Sequence, residues 1–155
     1  MTLEEEVVTK LIEKGYHISC AESCTGGLVA ASIVNVANAS SVLDASVVTY
    51  ANEAKVKYAG VDSSAIKEYG VVSETVAAQM AQGIACANNA EVGVSTTGIA
   101  GPTGGSEIKP VGMVCFGFYI CGVTHTYTQY FGEIGRNNVR QKSVQFVFDK
   151  LLELL

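Results

Sequence analysis

Val92-Gly93-Val94-Ser95-Thr96-Thr97-Gly98-Ile99-Ala100-Gly101-Pro102-Thr103-Gly104-Gly105-Ser106 is the stretch on which the fold turns. Its first part, Val92–Thr97, reads as a clean buried strand. The nine residues that follow, Gly98–Ser106, include four glycines, so the backbone there can take positive φ and approach a ligand closely. A loop directly after a buried strand is where α/β folds bind ligands. The loop lacks the G-K-[ST] ending of a triphosphate-binding loop and the G-x-G-x-x-G spacing of a dinucleotide site, and neither is predicted.

The same alternation of elements extends in both directions. Upstream, Ser73 caps a helix over Glu74–Asn88 that carries Val76, Met80, Ile84 and Ala87 on one face. Before it come two short helices, Asn52–Tyr58 and Ser64–Tyr69, the second ended by Gly70. A β-branched and aromatic strand, Ser46–Ala51, and a small polar loop, Asn38–Ser41, precede those. At the N-terminus Thr2 and Glu5 form a capping box for a helix with Leu3, Val7, Leu11 and Ile12 on one face, ended by Gly15. A strand over His17–Cys20 runs into Ala21-Glu22-Ser23-Cys24-Thr25-Gly26-Gly27 and then a helix over Leu28–Val34. Strand, glycine turn, helix is an arrangement that aims backbone N–H groups at an anion or a polarised oxygen. Downstream, strands Val111–Ile120 and Val123–Phe131 flank the hairpin pair Cys121-Gly122, and a last helix spans Arg136–Leu154. The prediction is an α/β three-layer sandwich: a mixed β-sheet with helices on both faces, one domain over residues 1–155.

Composition narrows the function. With 155 residues, 48% hydrophobic and 16% charged, the chain suits one globular core. It has no apolar run of the roughly 20 residues that span a bilayer. Its N-terminus carries an acidic cluster where a secretory signal has a basic one, so a cytoplasmic protein without membrane contact is expected. A net charge of −5 predicts no fold-wide attraction to nucleic acid and leaves room for a local site for one phosphate. The five cysteines contain no C-x-x-C pair and read as reduced thiols. His17 and His125 have no metal-ligand spacing to a cysteine pair, so neither a metal nor a cofactor is expected.

The chemistry-bearing residues are few. A serine nucleophile needs a base. The two histidines read as structural or surface residues, and no G-x-S-x-G turn exists. Ser64 and Lys67 match S-x-x-K without its companion motifs. Tyr50 ends a strand and Lys55 lies on the helix after it, so a turn can bring a phenol and an ammonium together. Spacing alone equally allows a boundary tyrosine and an exposed lysine. Arg136 and Arg140 share a face at the start of the last helix and suit a phosphate, or else form an ordinary solvated helix start.

Five blocks taken in order resemble the CinA C-terminal domain family. They are Ala21–Gly27, Val48-Thr49-Tyr50-Ala51-Asn52-Glu53-Ala54-Lys55, Gly70-Val71-Val72-Ser73, Thr97–Gly105 and Lys109-Pro110-Val111-Gly112. The resemblance covers nearly the whole chain. It implies a nicotinamide-nucleotide amidase, which converts nicotinamide mononucleotide to nicotinate mononucleotide and ammonia in pyridine nucleotide recycling. The form implied is the stand-alone one, a homo-oligomer with a dimer favoured. The family's serine before the V-T-Y strand maps onto Ser40, with Ser41 adjacent. Its tyrosine, lysine and threonine map onto Tyr50, Lys55 and Thr97, and its arginine onto Arg136, with Arg140 close by. On this reading Ser40 attacks the carboxamide while Tyr50 and Lys55 manage its proton, and N–H groups around Thr97 and Gly98 hold the oxyanion. Glu22, Ser23, Thr25 and Gly26, with Gly98, Gly101, Gly104, Arg136 and Arg140, shape the nucleotide site. Gly132-Glu133-Ile134-Gly135-Arg136 departs from the family's compact G-D-R segment. The alternative is a non-catalytic nucleotide-binding or protein-interaction module of the competence/damage-inducible type.

Overall fold

The computed structural model describes all of residues 1–155. The elements run α1 (Leu3–Lys14), β1 (Ile18–Glu22), α2 (Leu28–Val34), a single 3-10 turn (Ala39–Ser41), β2 (Leu43–Val48), α3 (Asn52–Ala59), α4 (Ser63–Tyr69) and α5 (Glu74–Ala87). They continue with β3 (Val92–Gly98), β4 (Met113–Ile120), β5 (Val123–Tyr130) and α6 (Arg136–Leu154). The five strands form one sheet in the order β2-β1-β3-β4-β5. β1 is parallel to both β2 and β3, and β4 and β5 are antiparallel additions. α1, α2 and α6 cover one face and α3, α4 and α5 the other, which is the three-layer mixed α/β sandwich expected.

The layers differ in how they meet the sheet. On the α1/α2/α6 side a core of 21 buried residues includes Leu11, Ile18, Val94, Phe116, Phe118, Val147 and Phe148. On the other side α5 lies directly on the backbone of β3 and β4. A Cβ at Gly93 would collide with the Ala81 carbonyl oxygen, and one at Gly117 with that of Ala77. Ser95, between them, donates to Ala77 O. The glycines thus permit a close helix–sheet approach, while the larger core lies on the opposite face.

Capping follows the chain's punctuation. Thr2 and Glu5 exchange both bonds of the capping box, and Gly15 takes φ 67° to end α1. Ser73 Oγ accepts from Val76 N at the start of α5. Three strands depart from the sequence expectation by two residues or more, β2 also ending at Val48 and not at Ala51. β1 continues to Glu22 because its last residue, although charged, is buried among donors. β2 starts three residues early, at Leu43, because parallel pairing with β1 begins level with Ile18, and Leu43-Asp44-Ala45 carries no β-branched signal. β4 starts at Met113 because Pro110–Gly112 is spent on a turn in which Gly112 N donates to Ile99 O. No helix is long and apolar enough to cross a membrane.

Because α5 tolerates no side chain beneath it, Gly93→Ala and Gly117→Ala should each lower unfolding stability by about 1–3 kcal/mol through overpacking. Urea unfolding of the two variants checks this.

Candidate active site

Three parallel strands end at the same edge: β1 at Glu22, β2 at Val48 and β3 at Gly98. The chain leaves β1 through α2 on one face and leaves β2 through α3–α5 on the other. The sheet is therefore entered in opposite directions on the two sides of β1, which opens a crevice at the carboxyl ends of the strands. A cleft of about 450 Å³ lies there, bounded by Cys24, Tyr50, Val71, Gly98, Lys109 and Arg136 among others.

Glu22 and Ser23 are consecutive at the end of β1, so their side chains point to opposite faces. Glu22 is 0% exposed and points toward α2. Its Oε1 accepts from Thr25 Oγ1 (2.7 Å), Gly27 N (3.2 Å) and Val29 N (2.9 Å), and its Oε2 from Ala30 N (3.1 Å) and Ser46 Oγ (3.2 Å). The carboxylate thereby occupies the anion position that the strand–turn–helix arrangement creates. The Glu22 carboxylate and the amides of Gly27, Val29 and Ala30 are thus consumed within the protein, while Cys24 N and Thr25 N in the turn find no acceptor. Thr25 is likewise committed, bonded to Glu22 and, at 2.8 Å, to Thr96 Oγ1.

Ser23 points the other way, and Lys55 of α3 meets it. Lys55 Nζ donates to Ser23 Oγ at 3.1 Å and to the Thr49 carbonyl at 2.5 Å. Lys55 is 1% exposed and Ser23 9%. No carboxylate pairs with this ammonium, and burial lowers its pKa from the ordinary 10.5. A buried lysine whose charge is uncompensated can act as a base. It lies within hydrogen-bond reach of a serine hydroxyl, which is the geometry of an activated nucleophile.

Ser23 and Lys55 lie beneath the cleft's edge, where Cys24 lines it, and Arg136, Tyr50 and Gly101 of the cleft pair among themselves. Arg136 donates through Nη2 to Tyr50 OH (2.6 Å) and through Nη1 to Gly101 O (2.9 Å). Tyr50 is therefore bonded to the arginine and makes no hydrogen bond to Lys55. Gly98, Gly101 and Gly104 all line the cleft. Gly101 holds φ 80°, and a Cβ at Gly98 would stand 2.7 Å from Val114 Cγ2. Cys24 lines the cleft too, and burial pushes its thiol up to about 12, so it stays protonated near neutral pH.

Several expected site residues are placed elsewhere. Ser40 is exposed in the 3-10 turn before Leu43, at the end of β2 that pairs with Ile18. The site lies at the other end, where Val48 pairs with Glu22. The whole length of the strand separates Ser40 from Lys55, and the neighbouring Ser41 spends its hydroxyl on Asn38 O. Thr97 points its hydroxyl at Val71 O (2.8 Å), fastening the 70–72 segment. Arg140 lies against the turn, with Nε on Cys24 O (3.0 Å) and Nη2 on Thr25 O (3.2 Å). Gly26 leaves the space Arg140 needs, since a Cβ there would stand 3.3 Å from its Nη2. Sequence reasoning gave Ser23 a binding role and gave none to Thr96, to the Thr49 carbonyl or to Lys109. The signal available for Ser23 was its place directly after a buried strand, the position from which a side chain reaches a strand-end crevice.

The fold and site define an α/β protein with a serine–lysine pair at a strand-end cleft. The chain belongs to the CinA C-terminal domain family, whose model matches residues 1–155. It is 48% identical over 148 residues to a CinA-like protein of Kosmotoga olearia, covering 96% of this chain and 36% of that protein. It is 52% identical over 121 residues to a CinA-like protein of Dictyoglomus turgidum, covering 78% and 29%. The chain thus spans about a third of the length of these curated relatives. Among solved structures, it resembles the competence/damage inducible protein CihA of Agrobacterium tumefaciens with a TM-score of 0.91 at 37% identity, covering 99% and 96% of the two chains. A CinA superfamily protein of Escherichia coli gives 0.95 at 33%, covering 99% and 88%.

Two outcomes are expected from the buried charges. Glu22→Gln places an amide NH₂ among five donors and should cost about 1–3 kcal/mol of stability, read from urea midpoints. For Lys55, the folded-state pKa is depressed, so between that value and 10.5 the unfolded chain binds the extra proton and stability rises with pH. The stability of the unsubstituted protein relative to Lys55→Met should therefore increase as pH rises through this window. A pH-independent difference between the two would contradict the uncompensated burial of the ammonium.

Proposed function

We propose that the protein is an amidase that hydrolyses nicotinamide mononucleotide to nicotinate mononucleotide and ammonia, with Ser23 as nucleophile and Lys55 as its base. The observation that carries the reading is the Lys55 Nζ–Ser23 Oγ contact of 3.1 Å, made by a lysine that is buried and lacks a carboxylate partner. The choice of substrate rests on the family resemblance and on the cationic Arg136 in the cleft.

Lys55, as the free amine, accepts the Ser23 hydroxyl proton while Oγ attacks the carboxamide carbon. The tetrahedral oxyanion meets the Cys24 N–H, which has no acceptor inside the protein and follows the nucleophile directly, as in other strand–turn–helix nucleophiles. One such donor is worth about 3–4 kcal/mol. The Lys55 ammonium then protonates the departing nitrogen, the C–N bond breaks and ammonia leaves. Water attacks the ester with Lys55 again as base, releasing the carboxylate product and restoring Ser23. Tyr50, bonded to Arg136, orients the guanidinium toward the ligand.

Ammonia release from the mononucleotide tests this. Ser23→Ala and Lys55→Met should each lose activity by at least about 10²–10⁴-fold, whereas Ser40→Ala should retain it. The acidic limb of kcat/KM should rise with pH as Lys55 deprotonates. Near-normal turnover by Ser23→Ala overturns the nucleophile assignment. If the unsubstituted protein releases no ammonia from the mononucleotide, free nicotinamide or the dinucleotide, the non-catalytic module takes precedence.

A further inference from the structure

Lys109 stands in the cleft with no part in the chemistry derived above. Its Nζ donates to Tyr69 O at 2.5 Å, at the carboxyl end of α4. Gly70 makes room for it, since a Cβ there would stand 2.7 Å from the same Nζ. An ammonium has three N–H donors, so two remain after this bond. Arg136, also in the cleft, has spent two of its five donors, on Gly101 O and Tyr50 OH. Neither cation has a carboxylate partner.

The balance of charge around these two groups is unusual for this chain. There are 15 acidic and 10 basic residues in all, yet none of the 14 residues lining the cleft is Asp or Glu. Two cations with unspent donors face one cleft in an otherwise acidic protein, and the local field favours an anion. Beside the Ser23–Gly27 turn, the Glu22 carboxylate already occupies the amides of Gly27, Val29 and Ala30, so a phosphate finds no seat at the start of α2. A phosphomonoester carries a charge of about −1.5 to −2 near neutral pH, which two cations match.

We propose that Lys109 is a specificity-determining residue that binds the phosphomonoester of the substrate jointly with Arg136, and so selects mononucleotides over nucleosides. This rests on the amidase reading for its substrate and on the cleft's charge for its chemistry. Lys109 touches the ligand far from the carboxamide, so its contribution falls on binding more than on the chemical step.

The test compares the unsubstituted protein with Lys109→Met and Lys109→Arg, using nicotinamide mononucleotide and nicotinamide riboside, which lacks the phosphate. Lys109→Met should raise KM for the mononucleotide with a much smaller change in kcat. The ratio of kcat/KM for mononucleotide over riboside should fall by about 10–100-fold, the worth of one charged hydrogen bond. Lys109→Arg should recover most of that ratio. An equal loss on both substrates, or no loss on either, overturns the proposal, and urea midpoints identify any variant whose loss reflects unfolding. Titration with inorganic phosphate, followed by calorimetry, makes the outcome independent of turnover. Should the unsubstituted protein release no ammonia, the amidase reading falls alone if phosphate binds it and binds Lys109→Met about 10-fold or more weakly. Equal phosphate binding by both, or none by either, overturns the role of Lys109.

Discussion

The carboxylate of Glu22 governs the geometry at the edge of the sheet. It is fully buried and accepts from three backbone amides and two hydroxyls. Those bonds satisfy the opening turn of α2, which would otherwise leave its amides unpaired. They also tie β1, α2 and, through Ser46, β2 to a single point. Because strand residues alternate, fixing Glu22 on one face fixes Ser23 on the other, toward Lys55. One peptide step thus separates a structural anion from the hydroxyl that Lys55 contacts.

Lys55 represents the opposite choice. Where Glu22 is surrounded by donors, Lys55 is offered only a hydroxyl and a carbonyl. Its charge is left without a counter-ion, which costs stability and lowers the proton affinity of the amine. A carboxylate beside it would have relieved that cost and made it a poor base. The destabilisation sits on α3, an eight-residue helix braced by α5, and the core on the far side of the sheet is the larger one. Strain at the site is carried by packing elsewhere.

Much of this was legible in the sequence. Strand and helix periodicity, capping residues and glycine positions gave the layers, because each is a local signal. The two glycine-rich segments both follow buried strands, and the structure brings them to one edge of the sheet. Strand boundaries were less legible at β2, where Leu43-Asp44-Ala45 pairs with β1 despite poor strand propensity. The division of labour within the site was not legible. Whether Glu22 faces a ligand or a helix depends on which donors surround it, and whether Arg140 is free depends on carbonyls 115 and 116 residues away. Ser40 and Ser23 are both small polar residues next to β-strands. Only the parallel register of β1 and β2 reveals that they belong to opposite ends of the sheet.

The attachment of Arg140 to the Cys24 and Thr25 carbonyls has a consequence in time. The serine turn is synthesised more than a hundred residues before the side chain that braces it, which belongs to α6. A nascent chain can fold its amino-terminal parts while translation continues, but the brace is missing until α6 has emerged from the ribosome. On the proposed mechanism, the nucleophile is held in its working geometry only once α6 has docked against the turn.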